Sequence, residues 1–391
     1  MKNRLSFLLA VPLCILMLLP SCKSGAQGGR LRGGSSSSDS IKIKPFEKPV
    51  EVRPVANDSL TALSRVIAGL PLEEGSPLYS YTRTPEWEKY RIKMDTMWSA
   101  STTTLEKVSE IRKLDFKDIT DKTRTVLYTF SGPDFPFMAT FFPDADTYYM
   151  MGLERSGSVL TTDALNKKTY DKFEKALYYL LEKSYFVTSY MASDLNNAEI
   201  DGTIPIFMVL MARMGYKFVS IDYVDLTPDG NWELSQTRKP FVKIRYFKEG
   251  EPREKTLYYL STNIADGEID PRVVKLIGKL SPDSTSSFIK SCSYCLHYDE
   301  FSKIRSLILD SSYAIIQDDT GIRYDVYKKG NWDITLYGSY TQPNPLFPKG
   351  VFQSDLNQVY KTSSEIRPLG FRFGYNWKGS SMIVCRRPKA E

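Results

Sequence analysis

The hydrophobic pattern of the chain changes period several times. Asp58 to Gly69 carries apolar positions at helical spacing. Thr84-Pro85-Glu86 predicts a stronger helix start, because threonine supplies an N-cap oxygen and proline suits the first helical position. Trp87, Tyr90, Met94, Met97 and Trp98 follow on one face, and Leu105, Val108 and Ile111 predict a continuing or second helix. Such stripes normally mark the buried face of a helix. Thr162 to Lys183 repeats the pattern through Tyr170, Phe173, Ala176, Leu177 and Leu180, and Pro205 to Met214 is closed by Gly215. Pro271 to Leu280, Phe301 to Leu309 and Phe352 to Tyr360 read as shorter helices.

Other segments read as strands. Thr123 to Phe130 and Thr147 to Leu153 flank the turn Ser131-Gly132-Pro133-Asp134, the apolar run Phe135 to Phe142 and a second turn, Pro143 to Asp146. Phe218 to Val224, Phe241 to Phe247 and Lys255 to Leu260 are separated by the turns Pro228-Asp229-Gly230-Asn231 and Lys248-Glu249-Gly250-Glu251, which predicts an antiparallel meander. After a turn at Gln317 to Gly321, Ile322 to Tyr327 and Trp332 to Tyr337 read as a hairpin around Lys329-Gly330. Phe371 to Tyr375 and Met382 to Cys385 read as closing strands. Clean βαβ alternation is missing from this pattern. The expected class is therefore α+β: a mixed, largely antiparallel sheet covered by helices, in one domain over residues 58–391.

The N-terminal residues follow different rules. Lys2 and Arg4 precede an almost wholly apolar run from Leu5 to Leu19, too short for a comfortable membrane span and the right length for a secretory signal. It ends in Leu19-Pro20-Ser21-Cys22, which resembles the lipobox of bacterial lipoproteins. That resemblance implies a signal peptide over 1–21, cleavage before Cys22 and acylation of its thiol, with the lipid bilayer as a partner. Lys23, rather than aspartate, follows the cysteine, and no acid occurs before Asp39. By resemblance this points to the outer membrane and its periplasmic face. Residues 22–57 form a Gly-, Ser-, Pro- and Lys-rich tether.

Charge sharpens the division. The 391-residue chain has a formal net charge of +6, and the nine bases and three acids of residues 1–57 account for all of it. The remaining residues hold 43 of each sign. A neutral body lacks the basic footprint of a nucleic-acid binder. After removal of the signal and acylation of Cys22, three cysteines remain, Cys292, Cys295 and Cys385, an odd number that implies no disulfide framework.

Several runs share a wider likeness. Tyr128-Thr129-Phe130-Ser131-Gly132-Pro133-Asp134, Phe141-Phe142-Pro143-Asp144-Ala145, Gly152-Leu153-Glu154 and Phe371-Arg372-Phe373-Gly374-Tyr375 resemble a family of bacterial lipoproteins, mainly from Bacteroidetes and some deltaproteobacteria. Lys290-Ser291-Cys292-Ser293-Tyr294-Cys295-Leu296-His297 and Gln317-Asp318-Asp319-Thr320-Gly321 are similar to runs of the same family. The resemblance covers most of 120–387 and implies class and location. It brings no activity and no catalytic residues.

Candidate chemistry is sparse. Ser131 and Asp134 sit at a strand-to-segment junction, where α/β enzymes place nucleophiles, but the run is not G-x-S-x-G. Any Ser-His pair must use His297, the single histidine. A Gly-Pro turn with Ser131 or Asp134 as a cap explains the run more simply. Cys292 and Cys295 have C-x-x-C spacing, yet they lie in an apolar stretch without a second pair, which favours packing over redox or zinc chemistry. Asp134, Asp144, Asp146, Asp318 and Asp319 lack the spacing of a calcium loop and suit turns. Trp232, Trp332 and Trp377 lie beside turns or strands, where aromatics serve as core or as contacts for sugars and proteins. No metal or cofactor motif stands out. The expectation is a lipid-anchored, non-catalytic protein that binds an envelope protein or glycan; the alternative is a hydrolase acting on envelope glycan or peptide material.

Overall fold

A computed structural model describes residues 53–183, 195, 197, 199–251, 253–347, 351–375 and 379–388. The signal, Cys22, the tether up to residue 52 and Trp377 lie outside the described residues.

Asn57 ends an extended approach and opens α1 (Asp58–Ile67), its Oδ1 accepting from the Leu60 amide at 3.0 Å. Thr84 does the same for α2 (Pro85–Asp115) through the Trp87 amide at 3.2 Å. The two stripes of α2 belong to one continuous helix. α3 (Lys117–Lys122) leads into β1 (Thr125–Tyr128), and α4 (Phe135–Phe141) joins β1 to β2 (Thr147–Gly152). α5 (Lys167–Lys183) and α6 (Ile204–Arg213) precede β3 (Tyr216–Leu226), β4 (Trp232–Leu234), β5 (Phe241–Lys248) and β6 (Lys255–Ser261). Then α7 (Pro271–Gly278) leads to β7 (Thr285–Ile289), and α8 (Ser302–Ser311) to β8 (Ala314–Gln317). α9 (Tyr324–Lys329), β9 (Asp333–Gly338), α10 (Ser354–Thr362) and β10 (Ser381–Arg386) follow.

The strands form one sheet in the order β4-β3-β5-β6-β2-β1-β7-β8-β10-β9. β6, β2, β1, β7 and β8 are parallel neighbours, and the antiparallel pairings on both flanks outnumber the parallel ones five to four. The fold is thus the expected α+β class with a mixed, largely antiparallel sheet. Alternation along β1 sends Val126 and Tyr128 to one face and Leu127 to the other. The first face is covered by α1, α2, α4, α5 and α6, the second by α7, α8, α9 and α10. The meander of β3, β5 and β6 has the predicted antiparallel order.

Four local expectations change. Ile322 to Tyr327 is not a strand; α9 occupies most of it, and the Tyr324 amide is held by Gln353 Oε1 at 2.8 Å, a partner 29 residues away. Phe371 to Tyr375 is an irregular segment in which Gly374 has φ +77°. β7 and β8 carry no clear local signal, although they lie inside the sheet. In β7 the hydroxyls are paired in the interior: Ser286 with Thr123 and Ser287 with Ser312, each at 2.7 Å. Buried polar groups with partners are tolerated, but a pattern of apolar positions cannot reveal them. Finally, neither Ser131 nor Asp134 provides a cap for α4, because both side chains have other partners.

Candidate functional site at the carboxyl ends of the parallel strands

The chain leaves β1 through α4 toward β2, and it leaves β7 through α8 toward β8 on the opposite side. Phe135, Met138 and Phe141 of α4 join the first core, whereas Ile304 and Ile308 of α8 join the second. β1 and β7 are neighbours, so their outgoing loops diverge across opposite faces of the sheet. Such a switch point leaves a crevice beyond the strand ends, where open parallel sheets bind ligands.

Residues of Tyr128–Asp134, Lys290–Ser291, Asp318–Thr320 and Gly374–Tyr375 meet around this crevice. Lys290 follows β7 directly, and its Nζ lies 2.8 Å from Asp134 Oδ2. Their side chains are 1% and 3% exposed. Tyr128, the last residue of β1, donates its hydroxyl to the same oxygen at 2.9 Å. The Phe137 ring centroid lies 4.5 Å from the ammonium. Asp134 Oδ1 is buried and has no hydrogen-bond partner. Thr129 Oγ1 and Ser291 Oγ, at the ends of the same two strands, are orphaned as well. Charges taken out of water must be matched. The positive and negative groups here match each other and leave acceptor capacity over.

A second acidic group closes the crevice at β8. Asp318 Oδ2 accepts from the Ser291 amide at 3.0 Å, and its Oδ1 accepts from the Thr320 amide at 3.1 Å and the Thr320 hydroxyl at 2.5 Å. Asp319 accepts from the Tyr294 hydroxyl at 2.6 Å and from Ser381 at 3.1 Å. Burial, reinforced by the Asp319 charge, raises the Asp318 carboxyl above the usual carboxylate range. Gly374 closes over Asp318: a Cβ there would lie 2.0 Å from Oδ2, so only glycine fits. Tyr375 donates to the Ser291 carbonyl at 2.6 Å.

The proposed nucleophile is engaged elsewhere. Ser131 Oγ donates to the carbonyls of Gly132 and Met151 at 2.8 and 3.0 Å. His297 packs edge-on against Tyr294 at 5.2 Å. The Gly321 carbonyl approaches its ring, but neither ring nitrogen has a well-formed hydrogen bond. Burial, aided by Arg323, pushes the imidazole down to about 4. Ser131, Asp134 and His297 therefore form no hydrogen-bonded relay with one another. Cys292, Cys295 and Cys385 are free thiols. Cys292 Sγ donates to the Thr320 carbonyl at 2.8 Å, and burial raises its pKa well above the ordinary value. Among the described residues no cluster of three metal-ligating side chains occurs. Asp144 and Asp146 stay with the turn before β2, beside Arg253.

Sequence reasoning passed over Lys290 and Tyr128, the partners that define Asp134. A lysine directly after the Thr285-Ser286-Ser287-Phe288-Ile289 run was the available signal. It becomes legible once that run is known to be a strand. Compared with known proteins, the chain matches no protein-family profile, no curated protein and no solved structure.

Proposed function

We propose that the protein is a lipoprotein anchored in the outer membrane through acylated Cys22, and that its periplasmic body binds envelope glycan without transforming it. The observation that carries the binding reading is the bonding of the crevice. Its hydroxyl nucleophile donates to carbonyls rather than to a base, and its lysine and carboxylate neutralise each other. What remains is hydrogen-bonding capacity at Asp134 Oδ1, Thr129 Oγ1 and Ser291 Oγ beside the buried acids Asp318 and Asp319, which suits a neutral glycan better than an anionic ligand. The anchor rests on the positive n-region, the apolar run and Cys22 in that order.

Fractionation and sedimentation test the two halves. The wild-type chain should enter the detergent phase of a membrane extract, and Cys22→Ala should become soluble in the periplasm. The mature chain should sediment with purified peptidoglycan sacculi and release no soluble fragments. Unchanged partitioning of Cys22→Ala refutes the anchor. Released fragments favour the hydrolase, and failure to sediment refutes the glycan partner.

A further inference from the structure

The segment 342–347 runs from β9 toward α10, and one of its rings is set against the crevice wall. Phe347 meets the Tyr294 ring edge-on and the Tyr375 ring at a tilt, with each centroid 5.2 Å away. The two tyrosines are fixed from behind. Tyr294 donates its hydroxyl to Asp319 at 2.6 Å; Tyr375 donates to the Ser291 carbonyl at 2.6 Å and accepts from Ser293 at 2.9 Å. The backbone beneath them is strained, since Ser291, Ser293 and Tyr294 have φ of +58°, +57° and +60°. Residues other than glycine hold that region only where their surroundings enforce it, and they collect at ligand clamps. The segment itself is held lightly. Gln342, Pro345 and Leu346 are exposed, Leu346 at 82%. Among the described residues, its hydrogen bonds to the rest of the body come from Asn344, whose amide donates to the Tyr294 hydroxyl at 2.9 Å and whose Nδ2 reaches the Tyr375 carbonyl at 3.5 Å. The Leu346 and Phe347 amides turn back to Asn344.

We propose that Phe347 plugs, in cis, a slot for one sugar ring of the glycan, and that the ligand enters when segment 342–347 swings out. The orphaned groups of the crevice are buried, so entry needs a part that moves. With the plug out, Tyr294 and Tyr375 offer aromatic surface to the C–H face of a sugar. The Tyr294 oxygen, released by the Asn344 amide, becomes an acceptor for a sugar hydroxyl. A phenylalanine side chain from a protein partner would fill the same space but bring no such donor. An anion is disfavoured by Asp319 behind Tyr294 and Asp318 behind Ser291. This inference rests on the glycan-binding reading and names the subsite and its gate.

Removing the plug should tighten binding, because the apparent affinity of a gated site is reduced by the fraction of molecules that are open. Mature Phe347→Ala in detergent should half-saturate with at least about fivefold less purified sacculus than wild type. Adding Tyr375→Leu, which removes one wall, should cancel that gain. A ring that only packs would give no gain when deleted. In the wild type, deuterium uptake by the peptide 341–347 should rise when a soluble chitooligosaccharide is added, since the Asn344 amide loses its partner. That measurement needs no variant, so it decides if Phe347→Ala fails to fold. Equal half-saturation of wild type and Phe347→Ala, a gain that survives Tyr375→Leu, or uptake that stays level or falls overturns the assignment. So does a Phe347→Ala chain that gains affinity for N-acetylphenylalanine amide and none for sacculi, which makes the occupant an aromatic side chain. If wild type and Phe347→Ala sediment equally with sacculi, the plug falls and the glycan reading stands. If neither sediments, the glycan reading falls with it.

Discussion

Replacing Lys290 by Met would leave the Asp134 carboxylate in the crevice with one donor in place of two. The pair is separated by 2.8 Å, and its side chains are 1% and 3% exposed. Tyr128 would still donate to Oδ2, but a hydroxyl carries no compensating charge. Breaking a buried pair from one side costs about 3–5 kcal/mol, because the surviving charge is left desolvated. Lys290→Met and Asp134→Asn should each lower stability by about that amount. The double variant carries neither charge and keeps similar volumes, so most of the loss should be recovered. The expected coupling between the two sites is at least about 2 kcal/mol. Urea unfolding of all four proteins measures it, with equal slopes required before the midpoints are compared. Single losses under about 1 kcal/mol, the size expected of a solvated pair, would refute the reasoning. Strictly additive losses would refute it as well.

Three further outcomes follow from the geometry. Gly132 has φ +47°, so Gly132→Val should lose about 1–3 kcal/mol through backbone strain, whereas Ser131→Ala should lose about 1 kcal/mol of hydrogen bonding; an activity abolished by Ser131→Ala at unchanged melting temperature would falsify the binding reading. His297 is lowered to about 4 from an ordinary 6.5, so its contribution to stability is full above about pH 6.5 and is lost as pH falls toward 4, by up to about 3 kcal/mol. His297→Gln should remove that slope from a urea titration series, and the wild-type-minus-variant difference isolates it from Asp318, whose raised carboxyl acts with the opposite sign. Replacing Cys292 and Cys295 together with Ala should cost at most a few kcal/mol and leave sacculus binding intact; stoichiometric zinc, or a reversible disulfide between them, counts against this.

Much of the fold is written locally. The cap of α2 appears in the sequence as Thr84, whose side chain accepts the Trp87 amide of the first turn, and Asn57 caps α1 in the same way. The α2 stripe is buried as its spacing demands, at Trp87, Tyr90, Met94, Met97 and Val108. β3, β5 and β6 follow from short apolar runs divided by glycine turns, and Gly230 and Gly250 have the positive φ that such turns use. The five aromatic or methionine side chains from Phe135 to Phe142 are all buried, as their composition requires, and the segment is largely the helix α4.

Other features depend on partners far along the chain. β7 looks polar until Thr123 and Ser312 bring hydroxyls to Ser286 and Ser287. α9 is mistaken for a strand because its aromatic and β-branched residues suit one, and the Gln353 contact that holds its first turn comes from 29 residues away. By itself the sequence determined the signal-like N-terminus, the neutral composition of the body, the main helices and the meander, because charge, period and turn chemistry are properties of neighbouring residues. Only the tertiary structure decided that Asp134 faces Lys290 and Tyr128 instead of capping α4, and that Ser131 turns to the Met151 carbonyl. The Lys290 contact exists because β7 lies beside β1, although more than 150 residues separate them in sequence, and the Ser131 contact because β2 lies on the other side of β1. A buried charge takes its meaning from whatever shares its low-dielectric surroundings, and the pairing of distant strands alone determines that.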